Sequence, residues 1–374
     1  MIQAELDKAC MHWLCQAAGM GGRKLIRALL STGTPTEIYE TAQKGELSEK
    51  VGKTYKDKAK MLEESAANYD AVDEYGKMTD RGILFVAVGE EGYPKKLKAI
   101  PDAPCAIYYV GKLPDDREKT IAVIGARNCS EYGKAMARQF GEALADAGVQ
   151  IVSGMARGID GIGQQAALDA GGYSLGVLGC GVDICYPPDN RMLYERLIEQ
   201  GGICSEYPPG IEPRAVLFPQ RNRIISGLCD GVLVIEAKER SGTLITVDMA
   251  LEQGREVYAL PGRVTDTLSR GCNRLIRQGA ELILSPQEML YELKPDRGLP
   301  AAYIRQDDAA LSGAQERIYK LLDYQPISTD MLQRKYTDAY DSHITVSELC
   351  YGLLQLCAEG FAGQVSGSFY VRKG

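Results

Sequence analysis

Histidine, tryptophan and phenylalanine are scarce in this chain of 374 residues, which has two, one and five of them, respectively. The histidines, His12 and His343, stand near opposite ends of the chain. A Ser-His-Asp or Cys-His catalytic arrangement in the middle of the chain is therefore excluded. No apolar run reaches the roughly 18 residues of a membrane span, and the N-terminus lacks the pattern of a signal peptide. We expect neither feature.

The cysteines do not form a metal-binding pattern. There are 11 of them, none in a CxxC pair. Cys10 and Cys15, like Cys180 and Cys185, are five residues apart, which matches no common metal site. We expect reduced thiols in a cytoplasmic protein, and no metal.

Two nucleotide-binding fingerprints are also missing. Gly125 is followed by Ala126 and Arg127, so the GxGxxG pattern of dinucleotide sites is absent. Gly52-Lys53-Thr54 has the form of the end of a P-loop, but Leu47 stands where the first glycine is required. We therefore expect no cofactor.

Periodicity and composition divide the chain into three domains. Residues 1–75 have apolar positions at helical spacing and predict a small domain of the SAM or helix-hairpin-helix type. Residues 76–293 are predicted to form a central domain, whose first part, residues 76–119, is an adaptor that leads into the main sheet. Residues 294–312 have no periodicity and predict a linker. Residues 313–374 predict three helices and a hairpin, the order of a winged helix.

The glycine-rich segment 19–22 has two interpretations. It precedes the helical stretch RKLIRALL and has the form of half a helix-hairpin-helix, whose amides can hold a DNA phosphate. A plain glycine turn between two helices explains the same residues.

Seven short apolar segments alternate with helical stretches between residues 120 and 292. The segments are TIAVIG, QIVSG, YSLGVLG, GICSE, GVLVIEA, REVYALP and ELIL. Continuous apolar strands bounded by glycine or proline are typical of buried parallel strands. The alternation predicts an α/β fold, a Rossmann-like, doubly wound and mostly parallel sheet. Ligands bind such sheets beyond the carboxyl ends of the strands.

Glycine, hydroxyl and arginine residues follow those strand ends. Glycine allows close approach of a backbone, helix N-termini favour phosphate, and arginine binds phosphate through two donors. Tight packing of strand and helix also favours glycine, so the whole set carries more weight than any single turn. The predicted phosphate-binding residues are Gly125, Arg127, Ser130, Ser153, Gly154, Arg157, Gly158, Arg221, Asn222, Arg223, Ser241, Gly242 and Thr243.

The charge distribution allows a phosphate ligand despite a net charge of −7. Between residues 120 and 292 there are 16 basic and 21 acidic residues, and 14 of the 16 are arginine. Arginine suits phosphate recognition, although surface ion pairs explain the same bias. The strand ends also carry acidic residues, which we expect to orient arginines and cap helices rather than to catalyse a reaction. These are Asp160, Asp183, Glu206, Glu236 and Asp248.

The ordered segments GARNCSEYG, SGMARGID, GCGVDICYPPDN, SEYPPG, FPQRNRIISG, EAKERSGTLIT and REVYALPG closely resemble the DNA-processing protein A (DprA/Smf) family. The resemblance extends over nearly the whole chain. It implies a cytoplasmic bacterial protein that binds and protects single-stranded DNA, helps to load RecA recombinase during natural transformation, and has no established catalytic activity. It also implies a homodimer formed through the central domain. The matching motifs imply DNA contacts at the arginine, glycine and hydroxyl positions named above.

One position departs from the family pattern. The family usually has histidine shortly after GID, and Gln164 stands there in this chain. Glutamine can form hydrogen bonds but does not titrate, so acid–base catalysis at this position is not expected.

An enzyme similar to the cytokinin-activating phosphoribohydrolases is the alternative. Those enzymes share a Pro-Gly-Gly-x-Gly-Thr turn. Ser241-Gly242-Thr243 and Pro261-Gly262 each match part of this motif, but they follow different strands. Nuclease activity would need clustered carboxylates for a metal, and no such cluster can be placed.

The expected mechanism is a row of strand-end turns that holds successive phosphates of an extended strand, with a secondary role for aromatic stacking. The C-terminal domain is not expected to bind duplex DNA strongly, because residues 311–374 include six basic and seven acidic residues. The helix predicted to read a DNA groove, Ser347–Glu359, has no lysine or arginine.

Overall fold

The computed structural model describes residues 3–293, 313–358 and 360–372. The predicted linker, 294–312, and Glu359 at the end of the predicted groove-reading helix lie outside the described residues. Within the described ranges, no helix is both long enough and apolar enough to cross a membrane.

Six helices form the N-terminal domain around the first of them. They are α1 (Gln3–Ala18), α2 (Arg23–Leu30), α3 (Pro35–Gln43), α4 (Leu47–Lys50), α5 (Lys56–Ala66) and α6 (Ala71–Asp80). Trp13 and Leu14 of α1 are fully buried. Thr34 and Glu37 form a reciprocal capping box that starts α3. Helix α6 continues to Asp80, beyond the predicted boundary at residue 75.

A single sheet of nine strands runs through the middle of the molecule. The strands are β1 (Leu84–Ala87), β2 (Ala106–Gly111), β3 (Thr120–Ile124), β4 (Gln150–Ser153), β5 (Ser174–Val177), β6 (Gly202–Ser205), β7 (Gly231–Val234), β8 (Glu256–Ala259) and β9 (Glu281–Leu282). Their order is β1-β2-β6-β5-β4-β3-β7-β8-β9. Strands β3 to β9 are parallel, and β2 joins β6 antiparallel. The adaptor strands β1 and β2 thus extend the same sheet.

Helices cover both faces of the sheet, which confirms the predicted Rossmann-like fold. They are α7 (Lys95–Lys98), α8 (Glu131–Asp146), α9 (Ile159–Asp169), α10 (Arg191–Gln200), α11 (Leu217–Gly227), α12 (Gly242–Glu252), α13 (Arg270–Arg277) and α14 (Pro286–Leu293). Successive side chains of β3 point to opposite faces. Ile121 packs in a cluster with Phe140, and Ala122 packs in another with Val247. Strands β3 to β7 are buried along their whole length, and because both of their faces are covered they are mostly apolar.

The order of the strands reverses at β3, which pairs with β4 on one side and β7 on the other. The connections from β3 and from β7 therefore leave in opposite directions. Such a switch point opens a crevice at the carboxyl ends of the strands, and this is where open α/β sheets bind their ligands.

The C-terminal domain has the element order of a winged helix. Its elements are α15 (Ala314–Leu321), β10 (Ile327–Ser328), α16 (Thr329–Tyr340), α17 (Val346–Ala358), β11 (Ala362–Ser366) and β12 (Phe369–Arg372). The three strands form a small sheet, and Ile318, Leu332 and Leu353 are in its core. The domain contacts the central domain through an ion pair of 2.8 Å between Arg263 and Asp323.

Candidate nucleic-acid interface

The side chain of Asp160 forms hydrogen bonds with both of the turns that follow β3 and β4. Asp160, in the first turn of α9, is buried, and its two oxygens accept hydrogen bonds of 3.3 Å from the amides of Gly125 and Gly154. Burial raises the pKa of this carboxyl, and the nearby Arg221 opposes the shift. The two glycine amides are therefore engaged by Asp160 and shape the crevice.

Gly158 allows these two turns to come into contact. Its φ is +77°, and a Cβ at this position would overlap the carbonyl oxygens of Ala126 and Arg127. A side chain here would push the Arg127 turn away, so the glycine sets the position of that arginine.

A cavity of about 280 Å³ lies at the ends of β3, β4 and β5, and we call it the strand-end cavity. The three arginines among its described lining residues, Arg127, Arg157 and Arg221, come from three different segments of the chain. Its lining residues are Arg127, Asn128, Gly154, Ala156, Arg157, Leu178, Gly179, Cys180, Tyr186, Pro187, Phe218 and Arg221. The structure thus brings together four of the predicted phosphate-binding residues.

Arg221 is the fixed cation of this cavity. It is 5% exposed, and its Nη1 donates to the carbonyl oxygens of Gly154, at 3.0 Å, and Val177. Desolvation lowers the pKa of its guanidinium, and Asp160 opposes that shift. A Cβ at Gly154 would lie 2.6 Å from Arg221 Nη2, so the glycine makes room for the guanidinium.

The other two arginines of the cavity are exposed and free to meet a ligand. Arg157 forms an ion pair with Asp189, but both side chains are more than half exposed. Arg127 has no ion-pair partner among the described residues. Ion pairs of exposed side chains contribute little free energy, so a phosphate can replace Asp189 at Arg157.

Two aromatic rings complete the cavity, and neither belongs to the predicted phosphate-binding residues. Tyr186 and Phe218 stack with a centroid distance of 5.2 Å and an interplanar angle of 28°. Tyr186 is 39% exposed. An exposed aromatic face beside arginines offers a nucleobase a stacking surface next to a phosphate site. The signal in the sequence is that each residue directly precedes a proline, Tyr186 in the loop that follows β5 and Phe218 in the first turn of α11.

The edge beyond the switch point is acidic. Ser130 caps α8, accepting from Gly133 N at 3.0 Å, and donates to the buried Glu236 at 2.5 Å. Burial raises the pKa of Glu236. A larger cavity, of about 740 Å³, lies here and includes Glu236, Asp266 and Tyr324 of the C-terminal domain. Its carboxyl groups disfavour phosphate. The predicted row of phosphate sites is therefore basic at the strand-end cavity and acidic beyond the switch point.

Arg223 lies away from the strand-end cavity, in a buried ion cluster. Its side chain is 7% exposed, and its Nη2 lies 2.5 Å from an oxygen of Glu206. Arg23, at the start of α2, lies 2.6 Å from Asp102, which also lies 3.4 Å from Arg223. The cluster joins the N-terminal domain to the central domain.

The glycine turn before α2 faces this cluster. Gly19 and Gly21 line a gap of about 30 Å³ together with Glu206 and Tyr207 of the central domain. Arg23 also lines this gap, and Glu206 is engaged by Arg23 and Arg223, so the turn packs closely on the central domain and a gap of this size has no room for a DNA phosphate. The geometry therefore favours the plain glycine turn over a phosphate-holding hairpin.

The remaining predicted residues surround the crevice. Ser153 donates to the Val123 carbonyl at 2.6 Å, and Thr243 donates to the Gly125 carbonyl at 3.1 Å. Asn222 accepts from Arg221 Nε at 3.3 Å. Gly242 begins α12, and Ser241 precedes it with a buried Oγ that has no hydrogen-bond partner in the described part of the chain.

Gln164 has a structural role. It is fully buried, its Oε1 accepts from Met155 N at 3.1 Å, and its Nε2 donates to the Leu175 carbonyl at 2.9 Å. Met155 has a left-handed backbone, with φ of +54°. The amide side chain thus supports the strained turn after β4.

Comparison with known proteins agrees with this architecture. The model of the family described as DNA recombination-mediator protein A matches residues 84–294. Protein Smf of Escherichia coli is 47% identical over 210 residues, which are 56% of either chain. DNA processing protein DprA of Streptococcus pneumoniae is 44% identical over 221 residues, which are 59% of this chain and 76% of that protein. The chain thus spans about half the length of the former and three quarters of the latter.

Two solved structures are similar to this one. The X-ray structure of DNA processing protein A from Streptococcus pneumoniae has a TM-score of 0.57 and 33% identity, covering 69% of this chain and 96% of that one. The structure of DNA processing protein A from Helicobacter pylori, described as having a unique single-stranded DNA binding mode, has a TM-score of 0.51 and 29% identity. It covers 57% of this chain and 95% of that one. Since the family model matches more than half of the chain, the resemblance to DprA/Smf is confirmed, and the protein belongs to the DNA recombination-mediator protein A family.

Proposed function

We propose that this protein binds single-stranded DNA at the strand-end cavity. One observation carries the proposal. Arg127, Arg157 and Arg221 converge on one cavity that also presents the stacked rings of Tyr186 and Phe218. The arginines supply phosphate contacts, and the rings supply a sequence-tolerant surface for a base.

The shape of the site favours a single strand. The cavity of about 280 Å³ is large enough for a base and its phosphate, whereas a duplex keeps its bases paired inside the helix. The binding mode described for the Helicobacter pylori relative supports the same choice. The acidic character of the edge around Glu236 implies that the strand leaves the cavity on the side of β4 and β5.

We propose, further, that the bound strand is protected and delivered to RecA recombinase during natural transformation, in the cytoplasm and without catalytic turnover. The family membership supports a recombination-mediator role.

The central domain is the proposed homodimer interface. Edge strand β9 and the segment directly after it support this, because Leu282 is 40% and Leu284 64% exposed beside an unpaired strand edge.

The experiment is a fluorescence anisotropy titration of labelled oligo-dT and of a matched duplex across a range of salt concentrations. We expect tight, salt-sensitive binding to the single strand only. Arg127→Ala should weaken binding to all sequences alike and lower the salt slope by about 0.7, the value for one phosphate contact with a single strand.

Arg138→Ala is the matched control, since Arg138 is an exposed arginine that does not line the strand-end cavity. It should bind as the wild type does. Equal binding to both DNAs, or none, would contradict the proposal. In that case, turnover of nucleoside monophosphates would test the phosphoribohydrolase-like alternative.

A further inference from the structure

The N-terminal domain carries a basic surface that has no role so far. Residues 50–60 include five lysines and one acidic residue, Asp57, in a chain whose net charge is −7. Three of these lysines, Lys53, Lys56 and Lys60, form what we call the lysine face. All three side chains are exposed.

The backbone aligns the three lysines. Lys53 begins a 3-10 turn, Lys53–Tyr55, that runs directly into α5 at Lys56. Residues three apart in a 3-10 turn are eclipsed, and residues four apart in an α-helix share a face. The three residues thus follow one another at intervals of about 6 Å along the helix axis. Ala59 and Leu62 are fully buried, so the core holds α5 in place.

The lysine face is not neutralised within the protein. None of its three lysines forms an ion pair with another described residue, and Asp57 and Glu64 stay beyond ion-pair distance. Other lysines of the same half of the chain are paired, namely Lys8 with Glu90, Lys77 with Asp73 and Lys96 with Asp230. Like charges four residues apart on a helix destabilise it by a few tenths of a kcal/mol. An anionic ligand would relieve this repulsion.

The composition of the surface indicates the class of ligand. Protein–protein interfaces are enriched in aromatic residues, methionine and arginine and are depleted in lysine. Here Met61, which is 63% exposed, is the one large exposed apolar side chain of α5. Lysine acts as a point charge that contacts phosphate without reading sequence. A repeated row of such charges fits a polyanion with regularly spaced phosphates.

We infer that the lysine face binds the phosphate backbone of single-stranded DNA outside the strand-end cavity. The inference rests on the proposed function and adds a second contact surface on the N-terminal domain. The glycine turn of that domain does not provide one, because it packs closely on the central domain.

The test compares wild type with Lys53→Gln/Lys56→Gln/Lys60→Gln. Two oligo-dT ligands are titrated against salt, one short enough to fill only the strand-end cavity and one several times longer. With the long strand, the salt slope of the variant should fall by about 2, since each lost phosphate contact removes about 0.7. With the short strand, the variant should bind as wild type does.

The matched control removes three other exposed lysines, Lys24→Gln/Lys44→Gln/Lys98→Gln, which changes the net charge equally. It should lower the slope less than the test variant does. Equal effects of the two variants on the long strand, or no effect of either, would overturn the inference. Loss of binding to a poly-Glu peptide with unchanged DNA binding would assign the surface to an acidic protein instead.

The two proposals fail in different ways. Arg127→Ala should weaken binding to both lengths, whereas the lysine variant should affect only the long strand. If wild type binds neither the short nor the long strand, the proposed function is wrong, and the inference that the lysine face binds single-stranded DNA is wrong with it. If wild type binds both and the lysine variant is indistinguishable from wild type, only the lysine face is wrong.

Discussion

Arg221 and Arg223 lie two residues apart on α11, and their guanidinium groups have different neighbours. Arg221 lines the strand-end cavity, whereas Arg223 is paired with Glu206. Both are buried, and one family motif contains both. One motif therefore contains a residue that lines the cavity and a residue that belongs to the ion cluster between the two domains.

Arg223→Ala should lower the free energy of unfolding by about 3 kcal/mol, because it leaves the buried Glu206 without its main partner. Arg157→Ala is the contrasting variant. Its ion pair is exposed, so the cost should be below about 1 kcal/mol. Chemical denaturation of the two variants measures both. Similar losses of stability in the two variants would contradict the assignment of Arg223 to the domain junction.

His12 makes the N-terminal domain sensitive to acid. Burial lowers the pKa of this histidine to about 4, with Glu74 opposing the shift, and its Nδ1 lies 3.0 Å from the Tyr108 hydroxyl oxygen. In the unfolded chain the pKa is near 6.5. The folded state thus binds fewer protons, so the contribution to stability is complete above pH 6.5 and is lost as the pH falls towards 4.

Between pH 6.5 and pH 5, wild type should lose about 2 kcal/mol more stability than His12→Phe. Phenylalanine keeps the edge contacts with Phe85 and Tyr108 but cannot be protonated. Denaturation curves of the two proteins across this pH range provide the measurement. Parallel pH profiles would show that His12 is not the responsible group.

At the scale of elements, the turns after β3 and β4 depend on each other. Asp160 bonds to both turns, and Gly158 lets them touch. The alternating apolar segments predicted the strands and helices, because burial on both faces determines their composition. The same pattern says nothing about which turn packs on which.

Gly158→Ala should cost about 3 kcal/mol, because its backbone conformation is one that essentially only glycine adopts. It should also weaken single-strand binding, since the Arg127 turn must move. Gly171→Ala is the control, with a φ of +74° and nothing within 4 Å of the added Cβ. It should cost about 1 kcal/mol and leave DNA binding unchanged. Thermal denaturation and anisotropy on both variants provide the measurement, and equal effects would refute the role of Gly158.

At the scale of the whole molecule, the C-terminal domain lies on the opposite side of the switch point from the strand-end cavity. Asp323 contacts Arg263 after β8, and Tyr324 contacts Tyr132 at the start of α8. In the described part of the chain, no residue of this domain lines the strand-end cavity. Its role in DNA binding is therefore expected to be small.

Deleting residues 300–374 should reduce affinity for oligo-dT less than tenfold, which corresponds to about 1.4 kcal/mol. Anisotropy titrations of the truncated and full chains at one salt concentration measure the difference. A larger loss would mean that the C-terminal domain contacts the strand or holds the central domain in its binding form.

The strands, the helices and the set of strand-end turns could be predicted from the sequence, because burial and turn chemistry act locally along the chain. The three-dimensional fold determines which members of that set share a cavity. It placed Arg127, Arg157 and Arg221 around one cavity, and Arg223 in a buried pair with Glu206. It also stacked Tyr186 on Phe218, which are 32 positions apart. Charge pairing and ring stacking depend on which strands become neighbours, and no local pattern encodes that order.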